Sequence, residues 1–227
     1  MSEFYLVRHG QASFGKDNYD QLSDLGYQQA LWLGQHLKQL DIKFDRVLTG
    51  SMLRHEQTAQ NICEGLQLDV PFDIHEGLNE YDFSALAQAY LTQFPQEMPD
   101  NAAQKSNRQH YYRILKKALK LWSNDELHGD IPESFAEFQQ RVADALNHIQ
   151  SYKTAERVLV VSSGGPIAMT MSHVLKLNNE QMIQLNLQVK NTSFSQFFFN
   201  PKSIQLNSFN CTAHLETKEH LHGITYS

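Results

Sequence analysis

Four apolar residues in unbroken succession, Val158-Leu159-Val160-Val161, stand between Arg157 and the turn Ser162-Ser163-Gly164-Gly165. A strand with one wet face alternates apolar with polar residues. A strand apolar at every position is buried on both faces, which is the situation in the middle of a parallel sheet covered by helices. The rest of the chain fits that demand. Residues 3–8 form a short β-rich run ending in Arg8-His9-Gly10, and after the N-cap candidate Ser23 the positions Leu25, Leu31, Leu33, Leu37 and Leu40 follow at helical spacing. Arg46 to Thr49 predicts a second strand, Ser51 to Leu66 a helix, and Val70 to His75 a third strand stopped by Gly77. This alternation predicts the α/β class with a mostly parallel central sheet flanked by helices.

Between about residues 82 and 130 the pattern changes. Pro95 and Pro99 precede Tyr111, Leu115, Ala118, Leu119 and Trp122 on one helical stripe, which predicts a helical insertion over one end of the sheet. A further helix is expected from Glu133 to about Ile149. Pro166 starts another after the central strand, near the first turn where its missing N–H is tolerated. Thr192 to Phe199 and Ile204 to Phe209 predict a closing hairpin. At 227 residues and 41% hydrophobic, the chain is expected to fold as one domain, 1–227, around a single such sheet.

Composition narrows the partners. The net charge of −6, with Lys and Arg scattered, lacks the basic footprint that nucleic acid requires. No apolar run reaches the length of a membrane span, and the first residues run straight into a strand, so no membrane association and a cytoplasmic location are expected. Cys63 and Cys211 have no ligand spacing and suit a reducing compartment. His220-x-His222 has no acid or cysteine nearby to complete a site, and no metal or other cofactor is expected. Arg113, Lys116, Lys117 and Lys120 form the outer face of the insertion helix. The Phe194, Phe197, Phe198 and Phe199 cluster suits either the core or a second subunit, so the oligomeric state stays open.

In an open α/β sheet, ligands sit beyond the carboxyl ends of the strands. Here three such ends carry Arg8-His9-Gly10, His75 to Glu80, and Ser162 to Gly165. Leu22-Ser23-Asp24-Leu25-Gly26-Tyr27-Gln28-Gln29-Ala30 and Arg54-His55-Glu56-Gln57-Thr58-Ala59 complete the set. In order these resemble the histidine phosphatase superfamily: an RHG strand end, an LSxxGxxQA helix start, an RxxQTA helix start, and a glutamate after the third strand. The resemblance implies a phosphoglycerate-mutase-like three-layer sandwich with His9 as phosphate acceptor, Arg8 and Arg54 clamping the phosphate, and Glu80 as general acid. Gly10, Gln11, Ser163 and Gly164 would complete the phosphate site. The residue types suit the chemistry: guanidinium forks match phosphate oxygens and neutralise charge in the transition state. Nearby cations keep an imidazole neutral and nucleophilic.

One position departs from that family. Its members usually carry a second histidine after the central strand, where this chain has Ser163. A serine hydroxyl there can still donate to phosphate or can cap the following helix. His75 at its own strand end, or Asp82, is a candidate to compensate, although Asp82 reads more readily as a helix cap. The resulting expectation is a phosphomonoester hydrolase acting without metal through phosphohistidine on a small phosphorylated substrate, slowed by the missing imidazole. The alternatives are a non-catalytic binder of phosphate or a phospho-ligand, a phosphomutase, and, less favoured, a serine hydrolase built on Ser163.

Overall fold

The computed structural model describes residues 2–13, 20–98, 108–152 and 156–226. Its six strands are β1 (Ser2–Arg8), β2 (Arg46–Thr49), β3 (Phe72–Ile74), β4 (Arg157–Ser162), β5 (Phe194–Asn200) and β6 (Ser203–Cys211). They form one sheet in the order β3-β2-β4-β1-β5-β6. The first four strands are mutually parallel, and the β5/β6 hairpin adds to β1 antiparallel. The apolar run predicted to be central lies in β4, between β2 and β1.

Pleating divides the core in two. Tyr5, Val7, Leu159 and Val161 point to one face, where α1 (Asp24–Gln39) and α2 (Leu53–Leu66) cover them with Leu33, Leu37 and Ile62. Phe4, Leu6, Val158 and Val160 point to the other, under α5 (Phe135–Gln150) and α6 (Gly164–Leu175). The result is the three-layer α/β arrangement. Phe197 extends the second face into the hairpin by stacking on Phe4, with ring centroids 4.7 Å apart. Phe197 and Phe199 are thus core residues.

Local chemistry sets several boundaries. Ser23 caps α1 as expected, accepting from the Gly26 N–H. Ser134 and Glu137 form a reciprocal capping box at the start of α5. The insertion supplies α3 (Phe83–Gln93) and α4 (Arg108–Ser123), whose predicted stripe of Leu115, Ala118, Leu119 and Trp122 is buried against Phe135 and Phe138 of α5. Pro99 lies outside the described residues. A short α7 (Asn179–Asn186) follows α6, and the sequence reading did not anticipate it. Lys116, Lys117 and Lys120 are exposed, and Lys117 pairs with Glu97. No helix among the described residues is long and apolar enough to cross a membrane.

Because Phe197 is fully buried and stacked, Phe197→Ala is expected to lower the unfolding free energy by about 3–5 kcal/mol. A urea titration at pH 7 measures this; a loss below about 1 kcal/mol would show that the hairpin contributes little to the core.

Candidate active site

The site is built where β1 and β4 end together. Their parallel register sets Arg8 opposite Ser162, and the His9 N–H continues the ladder by donating to the Ser162 carbonyl at 2.9 Å. The His9 carbonyl accepts from Asn191 Nδ2, so the turn after β1 is fixed on both sides. Its imidazole is buried and lines a cleft with Arg8, Arg54, Glu80, Tyr81 and Asn186. His9 Nδ1 lies 2.7 Å from the Gly10 carbonyl. A carbonyl only accepts, so Nδ1 carries the proton and Nε2 keeps its lone pair. Burial, then the charges of Arg54 and Arg8, hold the His9 pKa well below the ordinary histidine range.

The polar motif residues around His9 serve mainly to tie loops together. Thr58 Oγ1 accepts from the Gly10 N–H and donates to the Arg54 carbonyl. Gln29 accepts from the Gln11 N–H, and Gln57 accepts from the Leu22 N–H. Gln11 itself accepts from Ser23 through its side chain, so its amide holds the start of α1 and is not among the residues lining the cleft. A Cβ on Gly10 would meet the Gly26 carbonyl oxygen at 2.4 Å, so the packing of α1 against this turn demands glycine.

Both arginines reach the cleft. Arg54 is buried and paired with Asp20, Nη1 to Oδ1 at 2.5 Å, while Asp20 also accepts from the Leu53 N–H. Arg54 Nε is buried without a partner among the described residues. Arg8 Nη1 donates to the Val189 carbonyl and, at 2.8 Å, to the Tyr226 carbonyl.

Glu80 stands at the start of α6, with both carboxylate oxygens 3.2 Å from the Gly165 N–H. A Cβ on Gly165 would lie 2.1 Å from Glu80 Oε1, so this glycine permits the approach. Burial raises the Glu80 pKa, opposed in part by the Gly165 N–H and by Arg54, Arg8 and Arg141. Arg141 holds the loop before Glu80 by donating to the Gly77 and Asn79 carbonyls.

The other candidates fall elsewhere. Asp82 accepts from the Ser84 and Ala85 N–H groups and caps α3. His75 is not brought to the cleft: its Nδ1 accepts from the Gly77 N–H and its ring faces His148. Ser163 occupies the N-cap position of α6, but its side chain makes no cap hydrogen bond. It is fully buried, and its Oγ lies 2.7 Å from Nε2 of His55. Gly164 sits close to Asn186, whose Oδ1 would be 2.8 Å from a Cβ there. His220 stacks on Trp32, with His222 at the edge of the same ring. Among the described residues no group of His, Cys, Asp and Glu is arranged to hold a metal ion.

Residues 4–212 match the histidine phosphatase superfamily, branch 1. The chain belongs to that superfamily. Its members act as phosphatases or phosphomutases. Among curated relatives, the 2,3-bisphosphoglycerate-dependent phosphoglycerate mutase of Bacteroides fragilis is 23% identical over 211 residues, 82% of this chain and 83% of its own. A probable phosphoglycerate mutase of Cronobacter sakazakii is 28% identical over 204 residues, 86% of this chain and 84% of its own. A phosphoserine phosphatase from Entamoeba histolytica shares the fold with a TM-score of 0.66 at 23% identity, over 95% of this chain and 100% of its own. A putative alpha-ribazole-5'-P phosphatase from Escherichia coli does so with a TM-score of 0.65 at 21% identity, over 94% and 98%.

Asp20, Asn186, Tyr81 and His55 escaped the sequence reading of the site. For His55 a signal existed, a histidine inside the RxxQTA helix start; for Asn186, at the end of α7, there was none.

Histidines buried in neutral form, His9, His55 and His214 among them, make stability pH-dependent. His9 and His55 are both held well below the ordinary value of 6.5, so below that pH these two sites bind more protons in the unfolded chain than in the folded one. Stability therefore falls with falling pH there, each histidine adding at most about 1.4 kcal/mol per pH unit. His9→Gln is expected to reduce the slope of unfolding free energy between pH 6 and pH 5 by close to one proton. An unchanged slope would show that His9 titrates normally.

Proposed function

We propose that the protein is a phosphomonoester hydrolase working through a phosphohistidine at His9. The observation that carries this reading is the neutral His9 imidazole, its Nε2 free beside two guanidiniums and a half-buried carboxyl of raised pKa. Nε2 attacks phosphorus in line, and the P–O bond to the leaving group breaks. Arg8 and Arg54 supply the positive charge that offsets the phosphoryl oxygens. Glu80, held as the acid by burial, gives its proton to the leaving oxygen. In the second half the Glu80 carboxylate takes a proton from water, which attacks the phosphohistidine, releases phosphate and restores His9 with Glu80 protonated.

The cleft wall beyond the phosphate site favours hydrolysis over phosphate return to a second acid-bearing substrate. Tyr81, Phe83, Tyr111, Tyr112, Leu115 and Leu187 line it, and among the described residues Arg8 and Arg54 are its cations. A phosphoglycerate would need further positive charge for its carboxylate. Small phosphorylated ligands also fit what related structures hold: phosphoserine and 3-phosphoglyceric acid in the Entamoeba enzyme, and inorganic phosphate in a mycobacterial glucosyl-3-phosphoglycerate phosphatase. The substitution of Ser163 for the family's second histidine favours one other reading, a phospho-ligand binder without turnover.

Hydrolysis of p-nitrophenyl phosphate without added metal is expected to vanish in His9→Ala. Phosphate bound equally by both proteins, with turnover in neither, would establish the binder. The kcat/KM profile should be a bell: its acid limb, set by His9, lies below the ordinary histidine range, and its alkaline limb, set by Glu80, lies above the ordinary carboxylate range. Glu80→Gln should erase the alkaline limb and cost about 10²–10⁴-fold on alkyl phosphates, less on nitrophenyl phosphate, whose leaving group needs no proton. Equal losses on both would remove Glu80 as the acid.

A further inference from the structure

The cleft has two chemically distinct ends. Arg8, His9, Arg54 and Glu80 make one of them, and Phe83, Tyr111, Tyr112, Leu115, Leu187 and Tyr226 make the other. The second end is a product of the insertion. Tyr111 continues the stripe of Leu115, Ala118 and Trp122 at helical spacing, one turn nearer the start of α4. From Leu115 onward that stripe is buried in the core, whereas Tyr111 is half-buried and its side chain lines the cleft. A helical turn advances about 5.4 Å, so the apolar face of α4 outruns the core by roughly the width of one ring.

The rings at this end are held in place yet keep free surface. Phe83, in the first turn of α3, meets Tyr111 edge to face, with centroids 6.2 Å apart and planes at 88°. Tyr111 and Tyr112 lie 6.0 Å apart at 76°. Phe83 and Tyr111 are packed against the core cluster, and all three rings are only half-buried. Rings set at right angles present both faces and edges, the two surfaces on which a further aromatic ring packs best.

Charge separates the two ends as sharply. Arg113, Lys116, Lys117 and Lys120 are exposed on the outer face of α4, and none of them lines the cleft. A carboxylate or second phosphate on the leaving group would lose water against apolar rings and gain no cation there. An ammonium would find only Glu80, and a cation beside that carboxyl would draw off the proton it has to give.

We propose that the substrate is a phosphomonoester of an uncharged alcohol or phenol that carries an aromatic ring, and that Phe83, Tyr111 and Tyr112 form the subsite for that ring. This inference rests on the phosphohydrolase reading above. When the P–O bond breaks, the ring departs on the neutral alcohol, whose oxygen carries the proton given by Glu80.

The test compares kcat/KM for 2-phenylethyl phosphate, ethyl phosphate and O-phosphoserine in wild type, Phe83→Ala, Tyr112→Ala, Tyr112→Phe and His9→Ala. Phenylethyl and ethyl phosphate both release primary alcohols of similar basicity, so they share the need for a proton and differ in the ring. Wild type should favour phenylethyl over ethyl phosphate by about tenfold to a hundredfold, the worth of burying a ring. Phosphoserine should be no better than ethyl phosphate. Phe83→Ala and Tyr112→Ala should each cut the phenylethyl-to-ethyl ratio about threefold or more, and Tyr112→Phe should retain it. General damage to the site cancels in the ratio, so a merely structural role would leave it unmoved. Thermal unfolding shows which variants fold; if Phe83→Ala does not, Phe83→Leu, which keeps apolar volume without the ring, takes its place beside Tyr112→Ala. A wild-type ratio near one, a preference for phosphoserine, or a ratio unmoved in the Phe83 and Tyr112 variants would overturn the aromatic subsite and leave the phosphatase standing. Turnover absent on every ester, p-nitrophenyl phosphate included, or indifferent to His9→Ala, would overturn the phosphatase reading and the substrate class with it.

Discussion

The parallel pairing of β1 with β4 is the contact on which the rest of the site depends. Its register ends at Arg8 opposite Ser162, so the two chains diverge into their loops at the same height. That single alignment sets His9 beside Ser163 and points the start of α6 at Glu80. Both strands are buried on both faces, and a slip of one residue would turn every side chain to the wrong layer. The apolar packing that fixes the register also fixes the chemistry.

Around that pairing the structure uses glycine where backbone or carboxylate must come close. Gly10 and Gly26 let the turn after β1 lie against the start of α1, Gly165 admits the Glu80 carboxylate, and Gly50 leaves room for His55. In each case the partner of the absent Cβ is a group that bears on the site. The same economy appears in the hydrogen bonds of Thr58, Gln29 and Gln57, whose side chains satisfy loop N–H groups near His9. These motif residues shape the cleft from behind. The groups that line it, Arg8, His9, Arg54 and Glu80, are then held in a low-dielectric setting where a neutral imidazole and a raised carboxyl coexist.

Much of the architecture was legible in the residues. The run Val158 to Val161 demanded a strand covered on both faces, Ser23 marked the start of α1, and Arg46 to Thr49 bounded β2. Periodicity reports which face of an element is buried, and capping chemistry reports where a helix begins, so these features are local. β3 came out shorter than Val70 to His75, confined to Phe72–Ile74, because an edge strand pairs only as far as its neighbour β2 reaches. The helix α7 lacks a strong stripe of its own and was not visible beforehand.

For the site, sequence alone determined the membership of the family and the identities of His9, Arg8, Arg54 and Glu80 as candidates, because motif order survives in a linear string. It could not decide what each polar group faces. Only the tertiary structure gave Gln11 and Gly10 to packing, turned His75 toward His148, and gave the Ser163 hydroxyl to His55 across 108 residues of chain. Hydrogen bonds are directional and short, and whether two distant residues come within 3 Å depends on the docking of whole elements, which no local pattern encodes.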